Sequence, residues 1–98
     1  MIFDEIDRGV GGAVASAIGE RLARLAIRAQ LLVVTHSPQV AARGANQWLI
    51  AKSHDGLVTR TGVRALDDSE RREEIARMLS GATVTDEARA QAGRLLAA

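Results

Sequence analysis

The sequence has 98 residues, with 13 Lys and Arg against 12 Asp and Glu, and the resulting charge of +1 excludes a nucleic-acid binder that works by general basic excess. Hydrophobic residues make up 47% of it and only Phe3 and Trp48 are aromatic, so one modest core of Leu, Ile, Val and Ala is expected and a second domain is not. Without cysteine there is no disulfide framework or Cys-based metal site, and with neither a span-length apolar run nor a secretion signal, the expected compartment is the cytoplasm, with no membrane partner.

Met1-Ile2-Phe3 is an apolar run that ends in two adjacent acids, Asp4 and Glu5, followed by Asp7-Arg8-Gly9-Val10-Gly11-Gly12. It predicts a buried strand with carboxylates at its carboxyl end, where side chains of an open α/β sheet meet ligand. Successive strand side chains diverge, so one acid can hold a metal while the other addresses a water. Taken alone, such a pair is more often a solvated strand end.

The next segment, Gly12 to Ala29, carries Val14, Ile18, Leu22 and Leu25 at helical spacing, and Leu31-Leu32-Val33-Val34-Thr35-His36 then reads as a second buried strand with His36 at its tip. Strand, helix and strand at this spacing predict a parallel βαβ unit, which brings Asp4, Glu5 and His36 to one sheet edge. A neutral imidazole there can donate to a phosphate oxygen, and an imidazolium can offset charge on a transferred phosphoryl group. Pro38 holds Ser37 extended and starts a short helix over Gln39 to Arg43.

Gln47 to Leu66 predicts a β-hairpin around Asp55-Gly56, with Trp48 opposite Val63 and Ile50 opposite Thr61. At least one of its faces is expected to pack on the βαβ unit, and His54 to flank the turn in solvent. Asp67 with Glu70 predicts a capping box for a helix whose stripe is Ile75, Met78 and Leu79 and whose end is marked by Gly81. A last helix starts at Thr85, with Ala88, Ala92, Leu95 and Leu96 on one side. The arginines at 71, 72, 77, 89 and 94 alternate with acids, as on solvated helix faces with i,i+4 pairs.

Met1-Ile2-Phe3-Asp4-Glu5-Ile6-Asp7, Gly9-Val10-Gly11-Gly12 and Val34-Thr35-His36-Ser37-Pro38-Gln39-Val40-Ala41-Ala42 closely resemble the carboxyl-terminal ATPase segment of the RecN family, SMC-like ABC ATPases of bacterial DNA repair. The resemblance continues through Glu73 to Gly81 and into Thr85-Asp86. It implies that Asp4 is the Walker B aspartate serving magnesium, that Glu5 is the catalytic glutamate, and that His36 is the switch histidine contacting the terminal phosphate of ATP. Asp7, Gly9, Gly11 and Gly12 resemble the D-loop, which runs along the interface between two nucleotide-binding heads.

Two parts of the family pattern are missing. No G-x-x-x-x-G-K-[ST] occurs, so the phosphate cradle and its lysine are absent, and no signature loop occurs either. Leu79-Ser80-Gly81-Ala82 is instead the end of a helix. The expectation is thus an α/β chain, a single partial domain over residues 1–98: the βαβ core of the carboxyl-terminal part of an ABC-type P-loop NTPase head, with an antiparallel hairpin and two carboxyl-terminal helices. The implied partners are a Walker A-bearing amino-terminal part of the same protein and a second head in a homodimer. DNA is reached only through the intact protein. Alone, the chain is expected to be inactive. The rivals are a non-enzymatic assembly module, and a small metal-dependent phosphoesterase with Asp4, Glu5, Asp7 and His36 as ligands.

Overall fold

A computed structural model of the chain describes residues 1–98, the side chain of Asp55 apart. The elements are β1 (Ile2–Asp4), α1 (Gly12–Ala26), β2 (Leu32–Val34), α2 (Pro38–Ala41), β3 (Trp48–Asp55), β4 (Val58–Ala65), α3 (Asp68–Ser80) and α4 (Asp86–Ala97). β1 and β2 pair in parallel, with Ile2 beside Leu32, Phe3 beside Val33 and Asp4 beside Val34. The expected βαβ unit is therefore present, and the carboxyl ends of its strands are adjacent. No helix among the described residues is long and apolar enough to cross a membrane.

α1 ends three residues earlier than its pattern predicts, and its buried face differs from the predicted stripe. Ala15 and Gly19 are buried, whereas Val14 and Leu25 face solvent. The reason is close packing on α2: a Cβ at Gly19 would lie 3.0 Å from Arg43 Cγ and 3.1 Å from the Gln39 carbonyl oxygen. Only glycine lets the two backbones approach this far. α2 is short and begins as predicted at Pro38, with the Ser37 hydroxyl accepting from the Val40 amide at 3.4 Å.

The core lies among the helices and not on the parallel strands. Ala42 after α2, Ile75 and Ala76 of α3, and Ala88 and Ala92 of α4 form it, with Met78, Leu79, Val84, Leu95 and Leu96 packed around them. The predicted capping box starts α3, as the Glu70 amide donates to Asp67 Oδ1 at 2.7 Å and the Asp67 amide to Glu70 Oε1 at 3.2 Å. Thr85 caps α4 through the Ala88 amide at 3.1 Å.

Arg77 and Arg94 lie on exposed helix faces as expected, but the expected i,i+4 pairs are replaced by i,i+3 and interhelical ones. Arg89 bridges α4 to α3 through two 3.0 Å bonds to Glu73, and these bonds hold the Glu73 carboxyl below the usual glutamate range. Arg77 pairs with Glu74 at i,i+3. Arg71 points inward: its guanidinium donates to the carbonyls of Ala41 at 3.0 Å and Ala42 at 3.3 Å, and to Gln47 Oε1 at 3.2 Å. It thereby caps the open carbonyls at the end of α2.

The hairpin forms, but with its turn one residue later than predicted. Asp55 pairs with Val58, so Gly56 and Leu57 are the central residues, Trp48 faces Ala65 and Ile50 faces Val63. Gly56 has φ +61° and Leu57 is not left-handed, the backbone signs of a type II′ turn and not the type I′ turn that Asp-Gly favours. The expected packing on the βαβ unit is also absent. Trp48 is 59% exposed and Ile50 and Val63 are similarly open, while the base of the hairpin is tied to α3 by Arg64 with Glu70 and by Gln47 with Arg71. His54 is exposed, as predicted, and its Nδ1 lies 3.0 Å from Thr59 Oγ1.

Candidate active site

Two loops, one after each parallel strand, build the site. The first begins at Glu5, whose amide donates to the Val34 carbonyl at 2.8 Å and so extends the β1–β2 ladder by one bond. Directly beyond that bond the chain must turn away, and Glu5 does this in the left-handed region at φ 52°, the one non-glycine residue described there. Such a conformation costs an L-residue on the order of 1–2 kcal/mol. Its carboxylate meets the second loop: Glu5 Oε1 is 2.8 Å from His36 Nε2.

That strain gives a comparison independent of the carboxylate. Glu5→Ala and Glu5→Gly both remove the contact with His36, but only glycine relieves the backbone. Glu5→Gly is expected to be more stable than Glu5→Ala by about 1 kcal/mol in urea unfolding. Equal midpoints would show that the left-handed turn carries no strain.

Asp7 has a different environment from the other acids. It is 7% exposed, the one buried charged residue among those described, and its Oδ2 accepts a hydrogen bond from the Thr35 hydroxyl. Thr35 Oγ1 in turn accepts from the Ser37 amide at 2.9 Å. Asp4 ends β1 and is exposed, with no hydrogen bond or ion pair of its carboxylate among the described residues. Gly9, Gly11 and Gly12 follow on the surface, Gly9 at φ +80° and Gly11 as the amino-terminal cap of α1.

Between the loops is an open cleft of about 590 Å³ whose lining includes Glu5, Asp7, Gly9, Gly12, His36 and Gln39. Asp4 lies outside that lining. Among the described residues no three His, Asp or Glu side chains converge as a metal-ligand group. A lone exposed carboxylate is nonetheless a donor set that suits magnesium, which keeps several waters and takes one or two carboxylates together with phosphate oxygens.

The chain is similar along its length to curated proteins. It is 55% identical over 95 residues, 97% of the chain, to the DNA repair protein RecN of Streptomyces coelicolor. It is 47% identical over 96 residues to RecN of Xylella fastidiosa and 51% identical over 83 residues to RecN of Deinococcus radiodurans. The chain belongs to the RecN family. It spans 17% of the length of the first two relatives and 15% of the third. No protein-family model matches it.

In this RecN segment the structure brings together Glu5 and His36, as the sequence predicted, and leaves Asp4 on the outer side of the strand end. Sequence reasoning missed Thr35 and Ser37 as members of the site. Their signal was position, since they flank the histidine at a strand tip; Ser37 lines the cleft and Thr35 stands behind it against Asp7.

Proposed function

We propose that this RecN segment is the carboxyl-terminal part of an ATPase head and supplies part of its hydrolytic centre. The observation that carries the reading is the 2.8 Å contact between the Glu5 carboxylate and the His36 imidazole at the carboxyl ends of parallel strands. A proton acceptor and a phosphate-oxygen donor close enough to touch can both reach a single water and the phosphorus it attacks. Glu5 orients that water and takes its proton. His36 Nε2 donates to the terminal phosphate of ATP. Asp4 would hold magnesium, which when bound would supply neutralisation of charge on the phosphates.

The remaining parts come from elsewhere. The segment has no phosphate-cradling G-x-x-x-x-G-K-[ST], so the cradle is assigned to a Walker A-bearing amino-terminal part of the same protein. Exposed Ile2, Leu32, Trp48, Ile50 and Val63 offer that part an apolar surface. The loop from Asp7 through Gly12 faces a second head of a homodimer. Through the intact protein the ATPase cycle serves DNA repair, as the relatives' name has it, in the cytoplasm at the nucleoid.

The test mixes the chain with the Walker A-bearing part and measures magnesium-dependent ATP hydrolysis. Turnover in the mixture, and none from either part alone, is the expected result. A verified complex without turnover would instead favour an assembly module, the reading to which the exposed hairpin face lends itself.

A further inference from the structure

His36 presents a physical problem. Its side chain is 87% exposed, so no packing holds the imidazole, yet its Nε2 lies 2.8 Å from Glu5 Oε1. With the backbone fixed on both sides, an exposed side chain has its origin set and its choice of rotamers narrowed. Thr35 and Ser37 provide this. The Thr35 hydroxyl has one proton, which it donates to Asp7 Oδ2, and a lone pair that accepts the Ser37 N–H at 2.9 Å. The two bonds share one oxygen and bracket the His36 peptide.

Asp7 is the anchor of this chain of bonds. It stands two residues after Glu5, so it ties the loop that carries the carboxylate to the loop that carries the imidazole. Asp7 is the one buried charged residue among those described, and the Thr35 hydroxyl is the side-chain partner that its Oδ2 meets there. We infer that Asp7 is a positioning residue for His36: through the Thr35 hydroxyl and the Ser37 amide it fixes the loop that aims the imidazole at Glu5. This rests on the proposed role of His36 at the terminal phosphate, and its first test does not.

The test reads the imidazole directly, at one fixed pH, in a nitrogen-15 imidazole spectrum of the chain. The sequence has two histidines, and His54 on the hairpin serves as an internal control. In Thr35→Val, which keeps the shape and removes the hydroxyl, the His36 signals are expected to move to their positions in Glu5→Ala. Thr35→Ser should restore the wild-type positions, and His54 should not move in any variant. Asp7→Ala should match Thr35→Val; should Asp7→Ala fail to fold by circular dichroism, the valine and serine pair still decides. In the active mixture Thr35→Val lowers kcat about tenfold or more with KM little changed. Wild-type His36 signals in folded Thr35→Val would overturn the inference. The ATPase reading would be untouched, since that depends on turnover in the mixture and its loss in a Glu5 variant.

Discussion

Glu5→Gln in the reconstituted head is expected to lower ATP turnover by about 10²–10⁴-fold, the usual contribution of a positioned general base. The substitution is a narrow one. Glutamine fills the same volume, keeps an oxygen that can accept from His36, and imposes no new strain at a residue already held at φ 52°. What it lacks is the capacity to take a proton. The loss should therefore fall on kcat, with nucleotide binding nearly unchanged, because under the proposed function the cradle that binds ATP lies outside this segment. His36→Ala should also lower kcat, and the double variant should lose less than the two single losses combined, since the two side chains touch. Turnover that survives in Glu5→Gln would remove Glu5 from the chemistry and leave the contact with His36 as a structural one.

Much of this site was legible because strand, helix and strand at short spacing leave few topologies. Apolar runs ending in Asp4-Glu5 and Thr35-His36, with an amphipathic stretch between, place both tips at one edge through the right-handed parallel crossover alone. What could not be read were features that depend on a third party. Asp7 has the same sequence signature as a solvated acid, and only the fold shows that Thr35 comes to meet it. Arg71 sits in an alternating charged run that predicts surface pairs, yet the carbonyls it caps belong to a helix end about thirty residues away in sequence.

The hairpin was legible as an element and misread in two respects. An Asp-Gly pair supports closure with both residues central, or with glycine first and the aspartate paired, and the strand pattern fits both because a shift by one turn residue keeps every side chain on its face. Its predicted burial failed for a related reason. Trp48, Ile50 and Val63 share a face, which says that the face is apolar and does not say what covers it. The same holds for Val14 and Leu25 on α1. Alternation identifies a surface that needs a partner, and here none of the described elements is that partner.

The largest stability effect is expected at Ile75. It is the one large side chain with 0% exposure among the described residues, and its buried neighbours Ala42, Ala76, Ala88 and Ala92 are all small. Ile75→Ala should cost about 2–5 kcal/mol, with the value set by how far Met78, Leu79, Leu95 and Leu96 around the buried alanines can shift into the gap. A domain with an unfolding free energy of about 5–15 kcal/mol loses a large share of it. Ile75→Val should cost only about 0.5–1.5 kcal/mol. Urea unfolding checks both, read as a fall in midpoint with the slope unchanged. The effect on activity separates core from site: Ala42 follows α2, whose cap Ser37 adjoins His36, but a cavity behind Ala42 leaves the bonds from Asp7 to Thr35 and Ser37 in place. Turnover in the Ile75→Ala mixture should thus fall in proportion to the folded fraction and be restored on cooling. A loss below about 1 kcal/mol would mean that the helical layer is not the core that holds this chain together.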